Sequence, residues 1–466
     1  MGHTPLWAAR LPGSSDPSFF EFQRSLPYDA RLLAHDLALN AAWARALGRA
    51  GLLTADETAR LEAALADIGR VLSPAEAARG EAEDVHTLVE AELGARLGEL
   101  GRKIHRGKSR NDQVATDFRL FTAAAARRVD ADLRSLGEAL VAQAAALLER
   151  GVVFPGYTHL QQAEPVLAAH WALGHVEAIL RDRRRFALVA QASLAACPLG
   201  SAALSGTPVP IDRAALARDL GFAAPSANSI DAVADRDFAL GFLHAANLAL
   251  IHASRLAEDL VLFSTREFGF VRLPDAFTTG SSALPQKRNP DACELSRAKA
   301  ARSLGRYTGL AATLRSLPSG YQKDLQEDKE AVFDAVDTLH GVLASMAGTV
   351  AGLTVDEARA RAALGPWLLA AELAERLAGT GLPFRDAYGA VARAVGALEA
   401  RGDGRGFPDL TPGDWAALGP EFTPAVVGEL GYGAALARRA ATGGTAPERV
   451  REAVAEARAR LAAAPA

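Results

Sequence analysis

The stretch VATDFRLFTAAAARRVDADLRSLGEALVAQAAALLERG, residues 114–151, decides the fold class. Its larger apolar side chains recur at steps of three, four and seven residues from Val114 to Leu147, which places them in one stripe along a helix. Only Gly137 interrupts this run, and Gly151 provides a C-terminal stop. The pattern predicts one helix of about 38 residues, roughly 55–60 Å long, far beyond the mean globular helix.

Four further segments have the same character and predict long helices. They lie at about 165–196, 235–266, 290–317 and 324–352. We find no strand-like alternation between these segments, and Gly and Pro residues concentrate in the connections. The sequence therefore predicts an all-α fold with an elongated central five-helix bundle and two smaller, mainly helical flanking domains. The expected domains are an N-terminal helical domain (1–109), the central bundle with its polar loops (110–355) and a C-terminal helical domain (356–466).

Composition narrows the class of protein. Lys and Arg number 51 against 55 Asp and Glu, a formal net charge of −4, which argues against nucleic-acid binding. Only Cys197 and Cys293 are present, too few for a disulfide framework. Arg10 and Asp16 interrupt the N-terminus and no 20-residue apolar stretch occurs, so neither a signal peptide nor a membrane span is expected. These features predict a soluble cytoplasmic protein.

A first polar cluster, HRGKSRNDQ at residues 105–113, lies where the long helix is expected to begin. Ser109, Asn111 or Asp112 suits a helix N-cap, so capping alone is one interpretation. Capping does not explain three cations within five residues. Cations at the positive end of a helix are poorly placed for the dipole and well placed to bind an anion.

Two more clusters interrupt the Ala- and Leu-rich background. In GYTHLQQ, residues 156–162, His159 is a candidate for proton transfer, although a lone His is more often structural. In TGSSALPQKRNP, residues 279–290, a Gly-Ser-Ser turn leads to Lys287 and Asn289. Asn289 and Pro290 are expected as N-cap and first residue of a helix. Lys287 beside that helix N-terminus suits a carboxylate or a developing oxyanion.

These clusters resemble a known family. The run GSSALPQKRNP at 280–290 resembles the signature of the fumarase/aspartase superfamily of lyases. Within that superfamily, five further runs resemble the argininosuccinate lyase family: DVHT at 84–87, SRNDQVATD at 109–117, PGYTHLQ at 155–161, LPSGYQKDLQEDKE at 317–330 and GGTA at 443–446. The resemblance extends from about Leu6 to beyond Thr445.

The resemblance implies a reversible anti β-elimination that splits argininosuccinate into arginine and fumarate. No metal or organic cofactor is expected, since the sequence shows neither a metal-ligand spacing of His, Cys and carboxylates nor a glycine-rich nucleotide loop. Ser281 and His159 are expected to carry out the two proton transfers, and Glu294 to be the carboxylate partner of His159. Which of the pair is the base stays open, and we favour Ser281 as base with His159 on the leaving-group side. A first-turn acid is favourable with the helix dipole in any case, which is the alternative for Glu294.

The same resemblance assigns substrate contacts. It places Arg110, Asn111, Thr158, Lys287 and Asn289 on the fumarate half. It places Ser25, Arg236, Tyr321, Gln326 and Lys329 on the arginine half, and Asp84 among the binding residues. From the residues alone, Gln326 and Lys329 are expected to be solvated surface residues at the charged start of a helix.

The family also implies a homotetramer in which the 105–113, 156–162 and 279–290 clusters of each active site come from three different subunits. The expected partners are small molecules only, with no nucleic acid and no membrane. Two alternatives stay open: a sister lyase acting on another succinyl substrate such as adenylosuccinate, and a structural protein of the δ-crystallin kind, which the presence of His159, Ser281 and Asp84 disfavours.

Overall fold

The computed structural model of the chain describes residues 16–465. Arg10, on which the expectation about a signal peptide partly rests, lies outside these residues. Helices dominate the described chain and strands are short, so the predicted helical fold is confirmed. Within these residues, no helix combines the length and apolar character that crossing a bilayer requires.

The α-helices follow one another along the whole described chain. Before the longest helix come α1 (Pro17–Gln23), α2 (Leu26–Asp29), α3 (Leu33–Arg49), α4 (Ala55–Val71), α5 (Pro74–Ala77), α6 (Val85–Leu97) and α7 (Glu99–Arg102). The middle contains α8 (Arg110–Glu149), α9 (Ala168–Ser193), α10 (Arg213–Asp219), α11 (Ser229–Ala234), α12 (Asp237–Ser264), α13 (Asp291–Leu314) and α14 (Asp328–Ala351). The last are α15 (Glu357–Ala362), α16 (Ala370–Ala378), α17 (Phe384–Arg401), α18 (Pro412–Leu418), α19 (Pro424–Val427), α20 (Tyr432–Arg438) and α21 (Pro447–Ala462).

Short strands form two-stranded sheets. The strands are β1 (Val153–Thr158), β2 (Gln161–Leu167), β3 (Ala196–Cys197), β4 (Ala224–Pro225), β5 (Val271–Arg272), β6 (Thr279–Gly280), β7 (Arg288–Asn289) and β8 (Thr354–Val355). The pairs β1–β2, β5–β8 and β6–β7 are antiparallel, and β3–β4 is parallel.

The five predicted long helices are present as α8, α9, α12, α13 and α14. The longest, α8, has 40 residues, in agreement with the apolar stripe that predicted it. Val114, Phe118, Val129 and Leu133 of that stripe are each at most 5% exposed. Burial of such a stripe, rather than local propensity, stabilises so long a helix.

The expectation of no strand between the first two long helices is wrong. Strands β1 and β2 form a hairpin in which Phe154 is opposite Val166 and Pro155 is opposite Pro165. Pro165 therefore lies in a strand, and α9 begins at Ala168. The hairpin is stabilised by burial of Phe154 at its base, where its ring lies 5.7 Å from that of Phe263.

The start of α13 also differs from the expectation. Asn289 is not the N-cap, because it pairs with Thr279 in the β6–β7 ladder. The helix begins at Asp291, and the carbonyl of Pro290 accepts the N–H groups of Cys293 and Glu294 at 2.9 and 3.0 Å. Pro290 thus lies just outside the helix, where its missing N–H costs no hydrogen bond.

The chain divides into two compact units. Of the described residues, the first unit contains 16–131, 184–248 and 301–340, and the second contains the others. The first has a core in which Trp43, 0% exposed, packs among leucines of α3, α4 and α6. The second has a C-terminal core that contains Trp415 beside Phe407, their rings 5.5 Å apart.

Candidate active site

The first polar cluster caps the N-terminus of α8, which was one of the two interpretations of its sequence. The backbone N–H of Ser109 donates to Asp112 Oδ1 at 2.8 Å, and the N–H of Asn111 donates to Ser109 Oγ at 3.4 Å. The other oxygen of Asp112 accepts the N–H groups of Gly200 and Ala202 at 2.9 and 2.8 Å. Asp112 therefore holds the loop after β3 against the start of α8.

The cations of the same cluster do not act together. His105 and Arg106 are exposed, and His105 Nδ1 lies 2.8 Å from Glu90. In contrast, Lys108 is buried, and its Nζ donates to Asn40 Oδ1 at 2.6 Å. Of the cations that the sequence grouped as one anion site, only Lys108 and Arg110 turn inward.

Arg110 pairs with the acidic residue that starts α6. Its Nε lies 3.4 Å from Asp84 Oδ2, and its Nη2 donates to Thr87 Oγ1 at 3.2 Å. Asp84 caps α6 by accepting the Thr87 N–H at 2.6 Å. Burial alone would raise the pKa of Asp84, but the Arg110 guanidinium lowers it overall. Asp84 therefore stays ionised at neutral pH and holds Arg110 in place.

Ser25 and Asp29 lie next to Asp84. Ser25 Oγ donates to Asp29 Oδ2 at 2.6 Å, and the Val85 N–H donates to Asp29 Oδ1 at 3.0 Å. Burial, followed by the charge of Asp84, raises the pKa of Asp29 to about 6. Sequence reasoning missed Asp29, although its position four residues after Ser25 on one helical turn was an available signal.

A buried ion triplet joins two of the predicted arginine-side residues. Asp328 accepts from Arg236 Nε at 2.5 Å and from Lys329 Nζ at 2.7 Å. Lys329 is 2% exposed and Asp328 0% exposed. The interpretation of Lys329 as solvated surface is therefore wrong. Asp328 was also missed, because within the run QEDKE nothing distinguishes it from the exposed acids beside it.

The remaining predicted residues of the first unit are less enclosed. Gln326 is half-buried, and its Nε2 donates to the Gln23 carbonyl at 2.7 Å. Burial raises the pKa of Tyr321 to about 12, with the charges of Asp328 and Arg236 as further influences. Asn111 donates to the Ala203 carbonyl at 3.0 Å, in the loop that Asp112 holds. The first unit thus brings Ser25, Asp84, Arg110, Arg236, Tyr321, Gln326 and Lys329 into one polar region.

His159 occupies the turn of the β1–β2 hairpin in the second unit. Thr158 pairs with Gln161, so His159 and Leu160 are the two turn residues, with φ values of 55° and 56°. Such a turn needs positive φ twice, which Asn and Gly adopt far more easily than His and Leu. Residues held in this conformation concentrate at functional sites. The turn projects an exposed imidazole on a short, stiff support.

The hairpin is attached to the C-terminal segment. Gln162 accepts the Gly365 N–H at 2.9 Å and donates to the Ala363 carbonyl at 2.7 Å. Glu164 lies 3.3 Å from Arg439. These contacts fix β2, and with it the turn that contains His159.

Ser281 opens an exposed loop between β6 and β7. Its Oγ accepts the N–H groups of Ala283 and Leu284 at 3.3 and 3.1 Å, so the loop folds on its own serine. Lys287 is exposed at the other end of the loop, and Asn289 Nδ2 donates to Thr279 Oγ1 at 3.3 Å. The hydroxyl is accessible, and using it as a base requires release of these backbone donors.

Glu294 lies in the first turn of α13, as expected for a dipole-favoured acid. Its carboxylate lies 3.8 Å from Arg297. In the described part of one chain, no hydrogen bond or ion pair joins Glu294 to His159, and their pairing stays a prediction. Thr158, His159, Ser281, Lys287, Asn289 and Glu294 all belong to the second unit.

One buried group of His and Asp, namely Asp36, His86 and Asp117, has polar atoms within 4.8 Å of one another. We assign no metal to it, because the oxygens of Asp36 already accept hydrogen bonds. Neither the sequence nor this geometry identifies residues that would hold a cofactor.

Two known protein families match this chain. The chain matches the lyase family over residues 9–305 and the argininosuccinate lyase C-terminal family over residues 367–437. The first match alone covers more than half of the chain. Together they include the hairpin, the Ser281 loop and the C-terminal core.

Individual relatives match over nearly the full length. An argininosuccinate lyase of Roseiflexus sp. (strain RS-1) is 45% identical over 454 residues, covering 97% of this chain and 99% of the relative. Another, of Thermus thermophilus, is 47% identical over 457 residues, covering 97% and 98%. A crystal structure of an EDDS lyase in complex with formate superposes with a TM-score of 0.81 at 26% identity, covering 96% of this chain and 90% of that one.

Proposed function

Because this chain belongs to the argininosuccinate lyase family, we propose that it catalyses the reversible anti β-elimination of argininosuccinate to arginine and fumarate. The observation that carries this conclusion is the agreement with full-length argininosuccinate lyases over 97% of the chain, together with the C-terminal family match. The chain is accordingly a carbon–nitrogen lyase of arginine biosynthesis.

The chemistry sets the roles of the residues on the second unit. The proton next to a carboxylate is weakly acidic, so a base must remove it while cations stabilise the resulting dianion. We assign Ser281 as that base and Lys287, Asn289 and Thr158 to the carboxylate that receives the charge. His159 protonates the departing guanidinium nitrogen from the opposite face, with Glu294 as its carboxylate partner. The turn supports this role, because His159 has an unusual positive φ, and residues in such backbone conformations concentrate at functional sites.

The polar region of the first unit binds the substrate. Arg110 and Asn111 bind the fumarate half, and Asp84 supports Arg110 at 3.4 Å. On the arginine half, Lys329 and Arg236 are the cations available for a carboxylate. Both are buried and paired with Asp328, which orients them. Ser25, Gln326 and Tyr321 supply neutral hydrogen-bonding groups to the same half.

We further propose a cytoplasmic homotetramer in which each active site combines the 105–113, 156–162 and 279–290 clusters from three subunits. Large apolar side chains on the long helices support assembly, because they are exposed on the single chain. They are Leu188 on α9 (56% exposed), Ile251 on α12 (50%), and Leu295 and Leu304 on α13 (58% and 57%). A second copy that packs against these helices would remove them from water.

The decisive experiment compares substrates. Fumarate released from argininosuccinate by the purified protein is followed by ultraviolet absorbance, with adenylosuccinate assayed at the same concentration. Turnover of argininosuccinate, with little or none of adenylosuccinate, is expected. Preference for adenylosuccinate would identify a sister lyase, and no release from either would favour the structural alternative.

A further inference from the structure

Asp36 on α3, His86 on α6 and Asp117 on α8 meet in the interior of the first unit. Asp36 and Asp117 are 0% exposed and His86 is 2% exposed. Their nearest polar atoms all lie within 4.8 Å of one another. Two carboxyl groups this close in a dry interior cannot both be ionised without compensation, because each negative charge strongly disfavours the other.

The hydrogen-bond donors around the pair all serve Asp36. Its Oδ1 accepts from His86 Nδ1 at 2.8 Å and from Gln113 Nε2 at 2.5 Å, and its Oδ2 accepts from Asn40 Nδ2 at 2.9 Å. Neither oxygen of Asp117 accepts a hydrogen bond from any described residue. The nearest donor is His86 Nδ1, at 3.4 Å from Oδ2. An ionised Asp117 would therefore be a buried carboxylate without a donor, a costly arrangement.

We infer that Asp117 is a neutral carboxylic acid that donates its proton to Asp36, and that the ionised Asp36 positions the buried Lys108 and the proposed substrate contact Arg110. One proton on Asp117 gives the orphaned carboxyl a partner and adds another donor to Asp36.

The electrostatics agree with this assignment. Burial, followed by the charge of Asp36, raises the pKa of Asp117 well above its ordinary value. Burial would also raise the pKa of Asp36, but His86 and Lys108 hold it below its ordinary value. The charged and titratable groups that face Asp117 from the packed elements are Asp36 on α3, His86 on α6, Lys108 before α8 and Arg110 on α8.

The orientation that Asp36 imposes reaches the substrate region through two amides. Because Asn40 and Gln113 turn their N–H groups to Asp36, their carbonyl oxygens are free for cations. Asn40 Oδ1 accepts from Lys108 Nζ at 2.6 Å, and Gln113 Oε1 accepts from Lys108 Nζ and Arg110 Nη1, each at 3.3 Å. Asp36 is thus a positioning residue, and this half of the inference rests on the proposed function.

The assignment of the proton to Asp117 can be tested by a measurement that does not depend on enzyme activity. Infrared difference spectra of the full-length protein at pH 7, with and without ¹³C-labelled aspartate, report the carbonyl stretch of a protonated carboxylic acid. A label-sensitive band in the wild type that is missing in Asp117→Asn is expected. A band that persists in Asp117→Asn, the absence of any such band in the wild type, or a stoichiometric metal that Asp117→Asn loses would each overturn the assignment.

The positioning role is tested by the reverse reaction. Asp117→Asn keeps a neutral donor toward Asp36, so the KM values for fumarate and arginine are expected to stay within about threefold of wild type. Asp36→Asn brings an amide N–H against the donor of either Asn40 or Gln113, so the KM for fumarate is expected to rise at least about tenfold, more than that for arginine.

Gln113→Glu provides a second variant if Asp36→Asn does not fold. It places a carboxylate where Asp36 now receives an N–H, so the same selective rise in the KM for fumarate is expected. Equal changes in both KM values, or a fumarate defect in Asp117→Asn as large as in Asp36→Asn, would exclude the positioning role. If the protein lacks lyase activity altogether, the proposed function is wrong, while the infrared result still shows whether Asp117 carries the proton.

Discussion

The Nζ of Lys329 lies 2.7 Å from Oδ1 of Asp328, and neither side chain is more than 3% exposed. Asp328 also accepts from Arg236, so one carboxylate serves two buried cations. A buried cation with only half of its charge compensated is a strong binding site for an anion, because little water competes for it. We therefore propose Lys329 as a determinant of specificity.

Lys329→Met should weaken argininosuccinate binding by about 10- to 100-fold, because a buried polar group of the ligand loses its partner. Asp328 keeps Arg236, so the fold should persist. In the reverse reaction the KM for arginine should rise more than that for fumarate. Lys103→Met, at an exposed lysine paired with Glu57, is the matched control and should change neither. If Lys329→Met raises the KM values for arginine and fumarate equally, Lys329 does not bind the arginine half of the substrate.

The helix α8 and the burial of Lys329 differ in how far the sequence alone could predict them. The helical stripe from Val114 onward predicted α8 correctly, because side-chain periodicity is a local property. The burial of Lys329 depends on the partners Asp328 and Arg236, of which Arg236 is 92 residues away from Asp328 along the chain. The resemblance to the family predicts Lys329 as a substrate contact, whereas its charge and helical setting predicted a solvated environment, which the burial of its side chain contradicts.

The sequence did not predict the hairpin around His159, for a related reason. Pro165 is a favourable first residue of a helix in isolation, yet it lies in β2 because the hairpin buries Phe154 among aromatic side chains far away in sequence. The left-handed conformation of His159 and Leu160 carries no signal in residue type, since neither is Asn or Gly. Tertiary packing selected both features over local preference.

His159→Asn should lower kcat by about 100-fold or more, with a far smaller change in KM, because proton transfer is lost while the anion contacts remain. Leu160→Asn is the matched control, since it changes the other residue of the same turn and Asn accepts positive φ readily. It should keep kcat near wild type. Steady-state kinetics of both variants decide the matter, and a His159→Asn enzyme with normal kcat would remove the imidazole from catalysis.

Ser281→Ala should likewise lower kcat by about 100-fold or more if its hydroxyl is the base. The side chain is half-buried and, among the described residues, bonds to backbone N–H groups of its own loop, so thermal stability should change little. Thermal unfolding and kinetics measured on the same preparation separate the two effects. A loss of activity that is accompanied by unfolding, or retention of activity, would each contradict the assignment.

Mixed assemblies test the shared active site. His159→Asn and Arg110→Gln should each be inactive alone, because one lacks the proton donor and the other a fumarate contact. If each site takes these clusters from different subunits, dissociating and reassembling a mixture of the two should restore part of the activity. Each variant reassembled with itself is the control. Verified mixed tetramers without recovery would show that both clusters come from one chain.

The last prediction concerns pH and Asp29. Burial raises its pKa to about 6 from an ordinary value of 3.8, so between these pH values the folded protein binds more protons than the unfolded chain. The stability that this carboxyl contributes is therefore fully present below about pH 4 and is lost as the pH rises through 6. About two pH units at about 1.4 kcal/mol each correspond to roughly 3 kcal/mol.

Asp29→Asn removes this titration while keeping an oxygen that can accept from Ser25 or Val85. Its free energy of unfolding, measured in urea at fixed protein concentration, should thus fall less steeply than that of the wild type between pH 4.5 and 7, and the two should run parallel above pH 7. Asp56→Asn, at an exposed acid of α4, controls for the substitution itself. Curves for Asp29→Asn and wild type that stay parallel across the whole range would show that Asp29 does not hold a proton in the folded enzyme.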